Sequence, residues 1–419
     1  MRMPFTGPTK PPPGPFRDGF WRSPLRDQRL TALLGLILLV GLPVVIVTGL
    51  LSNDAYQPGL GGNALGRDIH GPLDVYLFGW PTHPGWLYAL GQGLHVTLGL
   101  ALAPILLVKL WSVIPRLFEW PAFRDPAHAL ERLSLALLVG SALFEFVTGI
   151  FNILYWYAFP FDFVQAHYYG AWVFIAAFAA HVVLKFGTMR DALSKRAEVL
   201  GTPGGARPLA APNPAPATMS RRALLAGVGG ASLLLLLQGA GQSLGGPLRF
   251  LAFLLPRGRT RPGPLGFPVN KAWAATGVSV SSVGTSWRLH LHGARTLELT
   301  REQLLALPQA SYDLPIACVE GWSTTQHWTG VRLHDLAALC GVHAAASVTS
   351  VSLEHGTYGR ATLGHEQVAD PRALLALCVN GVNLSLDHGF PARVIAPALP
   401  GVHCTKWVSE MLFEPVSVA

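Results

Sequence analysis

Long uncharged apolar runs dominate roughly the first 250 residues of the chain, and short alternating runs take over after them. Residues 1–29, rich in proline and arginine without an apolar period, predict a disordered cytoplasmic tail. Leu30 to Leu51 is long enough to cross a bilayer. Pro43 is tolerable inside such a helix, and the run lacks the small-residue cleavage site of a signal peptide. Further spans are predicted from Trp86 to about Val108, Leu133 to about Phe159, and Phe163 to Leu184, so residues 30–190 form a four-span unit. A Pro/Gly/Ala linker covers residues 191–220, a fifth uncharged run residues 221–248, and a second linker residues 249–268. From residue 269 the pattern predicts a single α+β domain. Its strands are expected at Trp287–His292, Thr296–Leu299, Tyr312–Ala317, Val348–Leu353, Leu374–Val379, Arg393–Ala396 and Trp407–Phe413. Helices are expected at Thr300–Leu307, with a Thr N-cap, and at Val331–Leu339.

Charge orients this pattern. Half of the residues are hydrophobic and only 13% are charged, which excludes a single soluble domain. The net charge of +8 gathers beside the spans and has no interleaved aromatic platform, so it reads as topology signal rather than a nucleic-acid footprint. Basic residues flank the chain start, the loop after span two and the end of span four. The positive-inside rule then places the amino terminus inside a bacterial inner membrane and the carboxy-terminal domain outside. Ser220-Arg-Arg-Ala-Leu-Leu-Ala226 is either a pair of basic anchors or, by resemblance, an internal twin-arginine export signal. Arg249, Arg257, Arg259 and Arg261 lie on the expected outer side, where a large domain translocates largely regardless of charge.

All four cysteines, Cys318, Cys340, Cys378 and Cys404, fall in the last third without C-x-x-C spacing. Cys318 opens the stretch Cys318-Val-Glu-Gly-Trp-Ser323, followed by Trp328-Thr-Gly330. By residue type alone it is a buried apolar residue, a nucleophile or a soft metal ligand. The stretch resembles the molybdenum-cofactor-binding superfamily of sulfite oxidase, most closely the catalytic subunit of the periplasmic methionine-sulfoxide reductase. The resemblance implies that Cys318 is the thiolate on molybdenum. It also implies that His388 and Arg393, in Asp387-His-Gly-Phe-Pro-Ala-Arg393, hold the pterin, together with Cys404-Thr405-Lys406. A guanidinium, an ammonium and backbone N–H groups are what bind its phosphate. Asn270 and Ser352 are weaker carry-overs. The chain departs from the reductase pattern at His388, Gly321 and Thr324–His327. Glu320 is expected to be a turn carboxylate exposed to water.

Histidines within spans are costly and read as functional. His95 and His167 fall in the outer halves of spans two and four at similar depth, which suits the axial ligation of a b-type haem. His181 follows His167 by 14 residues, about 21 Å along the helix. This spacing resembles bacterial dihaem b cytochromes and implies a second haem. At the matching place on span two stands Lys109, and a competing account pairs His181 with Glu145. An internal repeat, Val47-Thr-Gly49 and Val147-Thr-Gly149, supports two related hairpins. Loop histidines His70 and His83 are left outside the haem count, as candidates for lining a contact with the outer domain.

The whole implies a membrane-bound molybdopterin oxidoreductase with haem b relaying electrons between the quinone pool and an extracytoplasmic site. The resemblance favours reduction of a small S- or N-oxide such as methionine sulfoxide. A sulfite-type oxidase passing electrons inward is the second enzyme reading, and a non-catalytic haem carrier or redox sensor the third.

Overall fold

A computed structural model describes residues 10–17, 19–57, 60, 63, 77–121, 125–194, 213–259, 264–269, 271–356 and 358–416. Among these described residues, five helices are long and apolar enough to cross a membrane. They are α1 (Gln28–Tyr56), α2 (Leu87–Leu117), α3 (Pro126–Ile153), α4 (Phe163–Leu193) and α5 (Arg221–Leu244). Side-chain caps start four of them: Asp27 accepts from Leu30 N at 2.8 Å, Asp125 from His128 N at 2.8 Å, Asp162 from Gln165 N at 2.9 Å and Ser220 from Ala223 N at 3.1 Å. Large apolar residues such as Val40, Leu107, Leu130 and Val183 stay exposed, as expected of faces that meet lipid rather than water. The third helix ends at Ile153 instead of Phe159, because Leu154 caps it and Tyr155 adopts a left-handed φ of 56°. The second runs past Lys109, whose ammonium finds Thr31 O at 2.6 Å.

The chain divides into two compact units, Met1–Ile46 with Leu98–Leu236, and Val47–Thr97 with Leu237–Ala419. In the first, α3 packs along α4, Arg221 pairs with Asp27, and Leu30, Leu34, Leu38, Leu102, Leu106 and Phe174 build the core.

The second unit holds the α+β domain and the segment before it. One sheet has the order β2 (Leu297–Leu299), β1 (Leu289–His292), β10 (Val408–Pro415), β5 (Ala345–Ser352), β6 (Arg360–Gly364). Only β1 and β10 run parallel. The other sheet has the order β3 (Ala310–Ala317), β4 (Ser323–Arg332), β7 (Leu374–Val379), β8 (Val382–Asn383), with β9 (Arg393–Ile395) also on β7. Helix α6 (Arg301–Ala306) carries the expected Thr300 cap as a full capping box with Gln303. Helix α7 (Leu333–Leu339) starts two residues later than expected, because Val331 and Arg332 still pair with Leu375 and Leu374 in β4. A short α8 (His365–Ala369) follows β6.

The core between these elements centres on Leu289, Leu291, Leu333, Leu336, Leu375, Val394 and Met411, and it takes in Ala55, Trp80 and Tyr88 from the early segment. Burying each such large side chain contributes about 1.5–3 kcal/mol. The loop before α2 is tied in by polar bonds as well. Trp80 Nε1 donates to Ala398 O at 2.6 Å, Gln367 Nε2 to Trp80 O at 3.1 Å, and Asn63 Nδ2 to Thr362 O at 2.7 Å. Exposed His83 sits 3.7 Å from the Asp370 carboxylate, while His70 lies outside the described residues.

Candidate active site

Strand β3 pairs with β4 in continuous register from Ala310–Gly330 to Ala317–Ser323, and the loop joining them begins with Cys318. The loop closes on itself: Cys318 N donates to Trp322 O at 3.0 Å and Gly321 N to Cys318 O at 2.9 Å. Gly321 has φ +85°, a conformation that a side chain disfavours. A methyl group there would also stand 2.7 Å from Cβ of Val96. Cys318 is buried, yet a small pocket that opens to solvent reaches it. Phe267, Ile316 and Trp322 give that cavity apolar walls, and Asp387, His388, Arg393 and Lys406 give it polar ones.

The polar wall is built locally. Ser385 caps a single helical turn at Leu386–His388, and Gly389 (φ +103°) ends it. A side chain on Gly389 would press on Lys406. His388 is held by Ser385 Oγ on Nδ1 at 2.8 Å and lies with its ring 3.9 Å from that of Phe267. Burial, then Arg393 and Lys406, lower its pKa to about 4, so its imidazole is neutral at neutral pH. Arg393, on β9, is buried, and burial lowers it to about 10, so it remains a cation. Its Nη1 reaches His388 O at 3.4 Å. Nε has no partner, and no carboxylate pairs with the guanidinium among the described residues. Lys406 donates to Lys271 O at 2.5 Å and Asp387 O at 2.9 Å, and burial followed by Arg393 lowers it to about 7.

A buried cation without an anion is expensive, and this one faces a cavity beside a second basic group. Those residues fit the phosphate of a pterin, and Cys318 fits a soft metal at the other side of the same space. Thr405 adds a buried hydroxyl without a partner among the described residues. Cys404 is buried, which raises its thiol pKa, and it does not line the cavity. Ser352 does not line it either. Its hydroxyl donates to Lys406 O at 2.7 Å and accepts from Glu354 N at 3.0 Å, bracing the strand behind the cradle. Asn270 lies outside the described residues. Glu320, expected at the water surface, is buried instead, because the loop packs against helices.

The spans hold the predicted histidines in matching surroundings. Gly49 lies against the His95 ring, where an added methyl would stand 2.9 Å from Cε1. Gly149 lies likewise against His167, at 3.4 Å. The Thr148 hydroxyl is 2.9 Å from Nδ1 of His167, and Glu145 Oε2 is 3.2 Å from the same nitrogen. Glu145 thus accompanies His167 rather than His181, which is half-buried and has Lys109 and Lys185 as charged neighbours.

Residues that the sequence reading passed over include Phe267, Asp387, Gln92 and Gln242. The two glutamines, polar positions inside apolar runs, carried a signal.

Residues 276–416 match the family model of the oxidoreductase molybdopterin binding domain. Mitochondrial sulfite oxidase of Macaca fascicularis is 30% identical over 160 residues, covering 31% of this chain and 29% of that protein. The uncharacterized oxidoreductase YuiH of Bacillus subtilis is 32% identical over 132 residues, covering 31% and 66%. An NADH nitrate reductase of Volvox carteri is 28% identical over 163 residues, covering 31% and 19%. The chain therefore spans less than a third of the length of the sulfite oxidase it matches. Its carboxy-terminal part is a molybdopterin-binding oxidoreductase domain of the sulfite oxidase type.

Proposed function

We propose that this chain is a membrane-bound molybdenum oxidoreductase whose haem b links the quinone pool to an extracytoplasmic oxygen-atom-transfer site. Its substrate is a small S- or N-oxide such as methionine sulfoxide. The observation that carries the reading is the single cavity shared by Cys318, His388, Arg393 and Lys406.

When bound, the molybdenum centre supplies two-electron oxygen-atom transfer; reduction of an oxide consumes two electrons and two protons and releases water. The chain's own residues bind and shape. Arg393 and Lys406 offer charge-assisted donors to a phosphate, neutral His388 offers a ring nitrogen, and Cys318 offers the sulfur. Trp322, Phe267 and Ile316 keep bulk water off the sulfur side. For the haem, His95 and His167 are the assigned ligands. The Thr148 hydroxyl on Nδ1 of His167 is the outer partner that fixes a ligating imidazole, and Gly49 and Gly149 leave room beside the rings. A second haem at His181 has no comparable support.

The similarity to sulfite oxidases favours one other direction, oxidation of a sulfite-like substrate with electrons passed inward. One experiment separates the two, an optical spectrum with metal analysis on wild type and Cys318→Ser. Quinol is expected to reduce the haem and sulfoxide to reoxidise it. Haem reduction by sulfite would overturn the reductase reading, and iron without molybdenum would overturn the enzyme.

A further inference from the structure

The Cys318 loop is held by more than its own sheet. Gln92 Nε2, in the first turns of α2, donates to Val319 O at 2.5 Å, and Gln242 Nε2, near the end of α5, donates to Glu320 O at 2.6 Å. Ser323 Oγ donates to Ser243 O at 2.5 Å. Val96, one turn after Gln92 on the same face, packs on the bare backbone of Gly321. Both amides are buried, and each Oε1 has no partner among the described residues. A glutamine inside an apolar helix is costly, and these two spend their donors on consecutive carbonyls of one loop.

We infer that Gln92 and Gln242 are positioning residues that set where the Cys318 sulfur stands in the cavity. The inference rests on the reading of Cys318 as the molybdenum ligand. Cys318 and Gly321 are already joined by a turn, so the loop moves nearly as one piece. Fixing its two outward carbonyls fixes the torsion at which the sulfur meets a metal, and a metal ligand must be placed within about 0.5 Å to work well. The two helices thereby become part of the support of the outer site.

The test uses the full-length holoprotein. Gln92→Leu and Gln242→Leu keep the side-chain volume and remove the donors. Gln238→Leu is the control: Gln238 is buried on the same helix as Gln242, but its Oε1 accepts from Leu254 N at 2.8 Å, and among the described residues it makes no hydrogen bond to the loop. The readouts are molybdenum content, the thiolate-to-molybdenum charge-transfer band, the paramagnetic resonance of the one-electron-reduced metal, and kcat against KM. The expected result is full metal loading, a shifted band and altered resonance in Gln92→Leu and Gln242→Leu, with kcat severalfold lower and KM unchanged. Gln238→Leu is expected to resemble wild type. An unchanged band in both loop variants overturns the inference, as does an equal shift in Gln238→Leu, which would mark a general packing loss. Cys318→Ser, measured alongside, separates the two levels. If the band survives there, the ligand assignment itself fails. If it vanishes there but stays unmoved in the glutamine variants, only the positioning role fails.

Discussion

The hydroxyl of Thr148 stands 2.9 Å from Nδ1 of His167, immediately before Gly149, whose missing side chain leaves space beside the same ring. This places the Val147-Thr-Gly149 repeat at a histidine, and its counterpart Gly49 at another, His95. His167→Ala and His95→Ala are each expected to lose the haem bands and keep stoichiometric molybdenum. Gly149→Leu is expected to lose the haem by pushing the ring aside. If the proposed haem binds at His167, Thr148→Val should retain it with a shifted midpoint potential, because one of the two groups on Nδ1 is gone and Glu145 remains. Spectra with redox titration check all of these.

Arg393 supplies a prediction of opposite signs. A buried cation with no carboxylate partner destabilises the cofactor-free protein, typically by several kcal/mol. Arg393→Met should therefore raise the melting temperature of cofactor-free protein and abolish the gain expected of wild type on loading the pterin. Thermal unfolding of both forms, with and without cofactor, measures it. A lower melting temperature for the cofactor-free variant would count against the guanidinium as an anion-seeking group.

Acid should weaken the carboxy-terminal domain over a defined window. His388 and His403 are buried and held near pKa 4, against 6.5 when unfolded, with burial as the main cause. Between those values the unfolded chain takes up protons that the folded one refuses, so stability is complete above about pH 6.5 and falls as the pH drops toward 4. Each group can account for roughly 3 kcal/mol at most across that range. Denaturant titrations at stepped pH should show the loss, and His403→Leu should flatten it.

Lys406 titrates in the other direction from neutrality. Its folded pKa is about 7, so cofactor-free protein gains stability as the pH rises above 7 toward the unfolded value of 10.5. A bound phosphate favours the ammonium, so retention of the pterin should weaken across the same rise. Lys406→Met should bind more weakly at pH 6 and lose that pH dependence. Cofactor release followed by fluorescence against pH tests this.

Motif spacing survives in the fold of the carboxy-terminal domain to the extent that Cys318, His388, Arg393 and Lys406 line one space. Strand β4 was not legible, since Thr324-Thr-Gln-His327 has no clean apolar alternation and is specified by its pairing with β3. Helix α7 was read two residues early because Val331 and Arg332 suit either state until β7 claims them. The two glutamines that support the Cys318 loop stand out as polar positions in apolar runs, but what they hold was illegible for another reason. Gln92 and Gln242 lie 227 and 78 residues from the carbonyls they hold, and a backbone carbonyl leaves no mark in sequence. Glu320 was misplaced for the same cause.

Gly321 limits how freely this domain can be exchanged. A homologous domain that works as a separate subunit is under no demand to keep its loop flush with a helix, and can carry a side chain at the equivalent point of its motif. Grafted onto these helices, such a loop would meet Val96 before it seated. Chimeras should therefore tolerate foreign strands and cradles far better than a foreign residue at this one place, and a glycine restored there should rescue those that fail.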